Sequence, residues 1–220
     1  MIAKFCKVTL LLFICTFYVS TAAQTSSITS KIKKIEFYEL RGIHTVDFGA
    51  GTSVMNGDLV DPKFEISFHA GYKYFIFPHL NINIGYNKFN LAYVDVYNEG
   101  FMSFDLNLES ILCPHNRFSP FVFAGGGYNA SNYFEQTAMK IQGGGGIETI
   151  VAEGIGIKLY ADYNYVMSDE LDGVIAGASD DTYYRIGLGI NYYFGGKKRK
   201  EKILKDQPSI INSNKIILDN

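Results

Sequence analysis

The sequence predicts an all-β protein, an eight-stranded antiparallel β-barrel that meanders up and down across a membrane. Three observations carry this prediction: 47% of the residues are hydrophobic, 22 of the 220 residues are glycine, and apolar residues recur at every second position over most of the chain. Side chains alternate between the two faces of a strand, so this period gives each strand one apolar face and one polar or small face.

The composition also excludes several classes of protein. A chain of 220 residues fits one domain, and its formal charge of −2 argues against nucleic acid as the main partner. Its hydrophobicity, with 16 Tyr and 17 Phe, excludes a disordered chain.

Residues 1–23 predict a cleaved secretory signal. Two lysines precede the apolar run Val8–Val19, and small residues follow up to Ala23. About a dozen apolar residues are too few for a helix that must cross roughly 30 Å of hydrocarbon. Cleavage removes two of the three cysteines and leaves Cys113, so the exported chain has no internal disulfide.

The predicted strands follow in order along the chain, each about nine to twelve residues long, which is the length that a tilted strand needs to cross a bilayer. A weaker alternation covers Val46–Val54, and the phase is left open in two glycine-rich strands near residues 121–130 and 139–149. The clear alternations are Phe64–Tyr74, Leu80–Asn87, Met102–Glu109, Ile155–Tyr165 and Tyr183–Phe194.

A soluble sandwich would alternate in the same way, and three features favour the membrane barrel over it. Short predicted connections at 75–79 and 150–154 alternate with longer ones at 88–100 and 167–181, as in transmembrane barrels. Aromatic residues stand near the ends of the apolar faces, where they suit the membrane interface, at Tyr72, Tyr74, Tyr163, Tyr165, Tyr192 and Phe194. The polar faces carry charges of both signs, which predicts a charge network in the lumen formed by Glu65, Lys73, Asp105, Glu109, Lys158, Asp162 and Arg185.

The segment Phe118–Gly127 resembles the opening of the fifth strand in small OmpA/OmpX-like outer-membrane β-barrels of Gram-negative bacteria. The last strand is similar to the terminal signal that the barrel-assembly machinery recognises: Gly189, Tyr192 and Phe194 match it, whereas Gly187 stands where a polar residue is expected. The resemblance covers residues 43–196. It implies a place in the bacterial outer membrane, with membrane lipid and the assembly machinery as partners, but this architecture carries many functions.

A looser resemblance concerns the segments 87–92 and 99–106, which look like barrels associated with curli-type assembly components. It adds a surface-assembly role to the hypotheses.

Candidate catalytic and binding motifs are few. The runs Gly125–Gly127 and Gly143–Gly146 lack the Lys-Ser/Thr of a phosphate loop, and we interpret them as clearance for large inward side chains. Ser67 and His69, with Glu65 beyond, share a polar face, and some outer-membrane lipid deacylases use a Ser-His-acid set. Such enzymes direct the set towards lipid, whereas here it is expected to face inward and form a polar network.

Metal ligands in a recognisable spacing are missing as well, so we predict no cofactor and no metal. The scattered histidines are His44, His79 and His115, and one long loop collects the acids Asp169, Glu170, Asp172, Asp180 and Asp181, which leaves weak cation association open.

The two ends of the exported chain differ from its middle. Residues 24–42 form a polar-to-mixed lead, which we expect to pack beneath the barrel. Residues 197–220 form a tail with seven basic and three acidic residues, and eight strands place both ends on the periplasmic side. The basic stretch Lys197–Lys205 would either stop insertion at the membrane edge or meet anionic headgroups or a periplasmic partner.

These observations predict a non-enzymatic barrel with a structural, adhesion or surface-assembly role. A lipid-modifying enzyme of the same shape and a small-solute pore are the alternatives.

Overall fold

The structure, a computed structural model, describes residues 27–56, 61–94, 97–134, 137–168 and 181–205. The predicted signal segment and residues 169–180 of the acidic loop lie outside these residues. Two helices, α1 (Ser27–Leu40) and α2 (Gly196–Lys205), flank eight long strands. The strands are β1 (His44–Asn56), β2 (Glu65–Phe77), β3 (Leu80–Tyr93), β4 (Tyr97–Ile111), β5 (Phe118–Ser131), β6 (Thr137–Ala152), β7 (Ile155–Val166) and β8 (Thr182–Phe194), and a two-residue strand, Pro62–Lys63, precedes β2.

The eight strands form a closed antiparallel barrel. Each strand pairs with the next along the chain, and β8 pairs with β1, so the predicted fold class is confirmed. If hydrogen-bonded partners are followed from strand to strand around the barrel, the path returns to β1 ten residues beyond the residue at which it started. This path runs through His44, Tyr74, Ile82, Leu108, Ala124, Gly143, Tyr163, Tyr184 and Val54.

This stagger sets the size of the barrel. With a rise of about 3.3 Å per residue and about 4.8 Å between strands, a ten-residue stagger on eight strands gives a tilt of about 40° and a backbone radius of about 8 Å. Such a radius leaves an interior that side chains fill.

The outer wall is apolar and the lumen is polar, as the alternation predicts. β8 has this pattern over its whole length, because its apolar side chains are exposed and the residues between them are buried. The exposed set is Tyr184, Ile186, Leu188, Ile190, Tyr192 and Phe194. From the first to the last of these residues the wall rises about 25 Å, the height of the apolar band of outer-membrane barrels.

For the glycine-rich strands β5 and β6, the sequence left open which residues face the lumen, and the structure shows it. The rings of Phe121 and Phe123 turn into the lumen and lie across the neighbouring strand β6. A Cβ atom at Gly144 would meet the ring of Phe123, and one at Gly146 would meet the ring of Phe121. At these two positions glycine provides the clearance that we expected of the glycine runs.

The two ends of the barrel differ in the length of their connections. Short turns at Pro78–His79 and Glu153–Gly154, with the longer turn 112–117, lie at the end that also carries both helices. The opposite end carries the connection between β7 and β8, residues 167–181. We call these the helix end and the loop end.

One predicted loop is wrong. Residues 88–100 were expected to form a long connection, but β3 continues to Tyr93 and β4 begins at Tyr97. The reason is a change of polarity, because Phe89 and Leu91 turn inward there and are almost fully buried. They belong to an apolar layer that closes the lumen at the loop end: Met55, Phe89, Leu91, Tyr93, Phe101, Ala138, Val166 and Tyr183.

The helix end of the lumen is closed by a second apolar layer and by α1. Phe37 of α1 is buried against barrel side chains, and its ring centroid lies 5.3 Å from that of Phe75. The layer consists of Phe37, Phe75, Ile111, Phe121, Ile150, Tyr160 and Tyr193. Among the described residues, neither helix is long and apolar enough to cross a membrane.

Candidate functional site

The lumen between the two apolar layers holds the charged residues of the barrel. Five carboxylates and five cationic side chains form ion pairs there, and all of them are buried. Their formal charges cancel, which keeps a low-dielectric interior close to neutral. The carboxylates are Asp47, Asp105, Glu109, Glu148 and Asp162, and the cations are Arg41, Lys73, Lys140, Lys158 and Arg185.

Arg185 of β8 bridges two carboxylates nearer the loop end. Its Nε donates to both oxygens of Asp162, at 3.0 and 3.2 Å, and its Nη2 donates to Oδ2 of Asp105 at 3.3 Å. The guanidinium also lies 5.6 Å from the ring centroid of Phe89 and 5.7 Å from that of Tyr183. The guanidinium group of Arg185 therefore contacts two aromatic rings and two carboxylates at once.

Lys140 of β6 completes this group of charges. Its Nζ lies 3.0 Å from Oδ1 of Asp105 and donates to Oδ1 of Asn164 at 2.7 Å and to the hydroxyl oxygen of Tyr183 at 2.9 Å. Asp105 therefore has two cationic partners, whereas Asp162 pairs with Arg185 alone among the described residues.

A second group lies nearer the helix end. Lys73 Nζ donates to both oxygens of Glu109, at 2.8 and 2.7 Å, and Lys158 pairs with Asp47. His69 places Nε2 at 2.8 Å from Oδ2 of the same Asp47. The Lys73–Glu109 pair joins β2 to β4 and the Lys158–Asp47 pair joins β7 to β1, so these two ion pairs connect strands that are not neighbours in the wall.

Arg41 extends the network out of the barrel. It follows α1 in the chain, and its Nη2 donates to Oε2 of Glu148 at 3.0 Å while its Nη1 donates to the carbonyl oxygen of Pro114 at 2.6 Å. Glu148 also accepts hydrogen bonds from Asn191 and from the hydroxyl group of Tyr193. The segment beneath the barrel is therefore attached to the lumen by a buried ion pair.

Little open space remains between these groups. A cavity of about 30 Å³ lies beside His69, Asn83 and Arg185 and has room for about two water molecules. Towards each end of the lumen the described residues form an apolar layer.

Six of the seven predicted lumen charges are brought together in these ion pairs. The exception is Glu65, which lies half-buried at the loop end of β2 and makes no ion pair with any described residue. Sequence reasoning missed four members of the network, namely Arg41, Asp47, Lys140 and Glu148. Asp47 was assigned to the polar face of the weakly alternating strand but was not included in the predicted network. Lys140 and Glu148 lie in a glycine-rich strand, and knowing which of its faces is polar would have identified them.

The Ser67–His69 set is not arranged as a hydrolase would need it. Both side chains turn inward, and both ring nitrogens of His69 are engaged, by Asp47 and by Asn87 Oδ1 at 2.8 Å. Ser67 Oγ is buried and has no hydrogen-bond partner among the described residues. A serine nucleophile needs its hydroxyl group within hydrogen-bond reach of its base, and this pair lacks that contact.

The other histidines do not gather into a metal site. His79 and His115 lie beside each other at the helix end, with ring centroids 5.8 Å apart, and burial, followed by the neighbouring His79, lowers the pKa of His115 from 6.5. Within the described ranges no group of three metal-ligating side chains occurs.

The residues of the predicted assembly signal lie on the closing strand. Tyr192 and Phe194 point outward and are exposed, and Phe194 stacks on His44 of β1 with ring centroids 5.2 Å apart. Gly189 faces the lumen against the side chain of Lys158. Recognition by the assembly machinery stays a prediction.

Solved structures with a similar backbone were found, whereas no family model and no curated protein matches the sequence. Neisserial surface protein A superposes with a TM-score of 0.57 at 14% identity, over 69% of this chain and 97% of that one. The chain is similar in fold to this surface protein. Two further structures are more distant. The N-terminal barrel of Pseudomonas aeruginosa OprF has a TM-score of 0.47 at 16% identity, over 68% of this chain and 97% of that one. Ail, the attachment invasion locus protein of Yersinia pestis, has a TM-score of 0.47 at 14% identity, over 70% of this chain and 99% of that one. At these identities the likeness concerns the fold alone, and for the fold it confirms the resemblance to small outer-membrane barrels.

Proposed function

We propose that this protein is a non-conducting, non-enzymatic barrel of the bacterial outer membrane that serves as a structural anchor. The observation that carries the proposal is the closed lumen, in which buried ion pairs fill the middle and an apolar layer closes each end. A lumen of this kind holds the wall rigid and leaves the two ends of the barrel as the surfaces that meet other molecules.

The outer wall supports a place in the membrane. Its exposed apolar band rises about 25 Å on β8, and exposed aromatic rings such as Tyr192 and Phe194 stand at its helix-end edge. A soluble protein rarely exposes an apolar surface of this extent. Outer-membrane lipid and the barrel-assembly machinery are the partners that this placement requires.

A more specific role follows from which end of the barrel faces the periplasm and which faces the cell exterior. With the helix end in the periplasm, the loop end faces the cell exterior. The barrel presents its loops there as an adhesion or surface-assembly accessory, of which a curli-type system is one example. Export through a cleaved signal at residues 1–23 belongs to the same proposal.

Two alternative functions make different demands on the lumen. A small-solute pore needs an aqueous path, whereas the cavity beside His69, Asn83 and Arg185 has room for about two water molecules. A lipid-modifying enzyme needs a reactive group open to lipid, whereas Ser67 and His69 lie inside the barrel and are not joined by a hydrogen bond.

The test combines two measurements on the mature chain refolded in lipid. Unboiled protein should migrate differently from boiled protein on a detergent gel, because a closed barrel resists detergent, and planar bilayers containing the protein should record no more current than protein-free bilayers. Reproducible ion-selective steps would make the protein a pore. Identical migration of both gel samples, together with removal from membranes by carbonate, would replace the barrel with a soluble sandwich.

A further inference from the structure

α2 begins where the membrane wall ends. The closing strand β8 stops at Phe194, Gly195 turns the chain with a φ of 82°, and Gly196 opens the helix. Gly196 is buried, and a Cβ atom there would collide with the carbonyl oxygens of Tyr38 and Arg41. The last turn of α1 therefore sets the position of α2, and its first turn lies within two residues of the exposed aromatic edge of the wall.

The exposed surface of α2 is strongly basic. Lys200 pairs with Glu39 of α1 at 3.4 Å and, with Ile203, forms the half-buried side of the helix. At 3.6 residues per turn, Lys198, Lys202 and Lys205 share the opposite face. The remaining exposed cations, Lys197 and Arg199, flank it, and the only exposed acid on α2 is Glu201. None of these five exposed cations forms an ion pair with another described residue.

A cleft joins this basic surface to the membrane wall. It encloses about 510 Å³ between the end of α1, the turn at Glu153–Gly154, and the start of α2. Its lining includes Tyr192 and Phe194 at the end of β8 and Lys197 and Lys198 at the start of α2. The cleft also contains Glu153, and Glu39, whose charge Lys200 offsets. An apolar wall beside two lysines suits a molecule with an anionic head and an apolar body.

We infer that the cleft and the lysine face of α2 bind the anionic headgroups of phospholipids, such as phosphatidylglycerol, in the leaflet next to the helix end. The inference rests on the proposed placement of the barrel in the outer membrane. The phosphate group lies between Lys197 and Lys198, the glycerol and the first methylenes pack on Tyr192 and Phe194, and the outer lysines attract neighbouring headgroups. Such binding holds the helix end of the barrel against the membrane surface.

The experiment uses the full mature chain in nanodiscs of phosphatidylcholine with phosphatidylglycerol. Because the chain contains no Trp, the substitution Leu204→Trp introduces a single fluorescent reporter on the exposed side of α2. Quenching by brominated phosphatidylglycerol should exceed quenching by brominated phosphatidylcholine, and 0.5 M salt should reduce the difference, because salt at this concentration screens charges beyond a few ångströms.

The variant with Lys198, Lys202 and Lys205 all changed to Gln tests the basic face. Each lysine near an anionic surface contributes about a five-fold preference, so the triple change should lower the relative association with phosphatidylglycerol about 100-fold at low salt. The matched control changes Lys31, Lys33 and Lys34 of α1 to Gln, which removes the same charge from the same end of the protein. We expect this control to keep most of the preference.

The outcomes separate the headgroup site from the barrel. Equal quenching by both lipids, or an equal loss in the α1 control, would overturn the headgroup site, and so would binding to isolated peptidoglycan that is independent of lipid. The heat-dependent gel shift, recorded on the same nanodisc samples, reports on the barrel. A normal shift with equal quenching overturns only the headgroup site, whereas a lost shift overturns the proposed membrane barrel.

Discussion

Replacing Arg185 by Met should destabilise the barrel by roughly 3–5 kcal/mol, the range for breaking one side of a buried ion pair. The side chain is only 4% exposed and bridges Asp162 and Asp105. In the variant Asp105 keeps Lys140, so it remains paired. Asp162 loses its ion-pair partner, the only one that the described part of the chain provides, and keeps a hydrogen bond from the amide group of Asn164. One stranded carboxylate, rather than two, therefore sets the magnitude.

Methionine suits this test because it keeps much of the packing. Its apolar chain can fill the space beside the rings of Phe89 and Tyr183, so the loss measures charge more than volume. The double variant Arg185→Met with Asp162→Asn removes both charges and should recover most of the stability, because replacing a buried pair is often neutral. The control Lys63→Met, at an exposed position, should stay within about 0.5 kcal/mol of the wild type.

Urea unfolding in detergent micelles, followed by far-UV circular dichroism and by the heat-dependent gel shift, measures these differences. An Arg185→Met midpoint equal to that of the wild type would refute the role of the ion pairs. A double variant as unstable as the single one would show that the loss comes from packing and not from the stranded charge.

Three further predictions concern other parts of the molecule. Changing Tyr192 and Phe194 together to Ala should lower the amount of assembled barrel in the outer membrane, measured by the gel shift of membrane fractions; wild-type assembly would mean that the terminal resemblance is accidental. Ser67→Ala and His69→Ala should leave the acyl-chain composition of the envelope unchanged by mass spectrometry, and a change that follows either variant would favour the enzyme. Arg41→Met should leave Glu148 without its cationic partner and so release α1, at a cost of roughly 3–5 kcal/mol. The release should be detected as faster amide exchange in α1; unchanged exchange would contradict the attachment.

Much of the fold could be predicted because one face of each strand meets lipid and the other meets the lumen. The polarity of the side chains therefore alternates with a period of two. Within the bilayer the outward set must be apolar, and the sequence of β8 alternates without a break from Tyr183 to Phe194. Closure follows from the membrane, because an open sheet edge would leave unpaired backbone groups in lipid. The predicted difference between short and long connections also holds at 75–79, 150–154 and 167–181.

The alternation stopped being informative at the loop end, where strands continue beyond the apolar wall. On β3 the outward residues Lys88 and Asn90 are polar, and the inward residues Phe89 and Leu91 are apolar. The two faces thus exchange their polarity while the hydrogen-bonded ladder continues. A rule based on an apolar outer face ends the strand at this exchange, which explains the loop wrongly predicted over residues 88–100.

The missing members of the charge network have two physical causes. Lys140 and Glu148 lie on a strand whose four consecutive glycines hide its phase, so neither face could be assigned from the pattern. Arg41 lies outside the strands altogether, and its partner Glu148 is 107 residues away along the chain. No local period reports a contact over such a separation.

The ion pairs also specify something that the alternation leaves open. A slip of one residue in any ladder would turn charged side chains towards lipid, so burial alone forbids it. A slip of two residues keeps every side chain on its own face and costs little in hydrophobic burial. It would, however, separate partners such as Lys73 and Glu109 or Lys158 and Asp47, which lie on strands that are not neighbours. Since an unpaired buried charge costs several kcal/mol, the lumen network selects the ten-residue stagger among those that the apolar wall would accept. The charged lumen thus has a physical task apart from any transport, because it determines how the barrel closes.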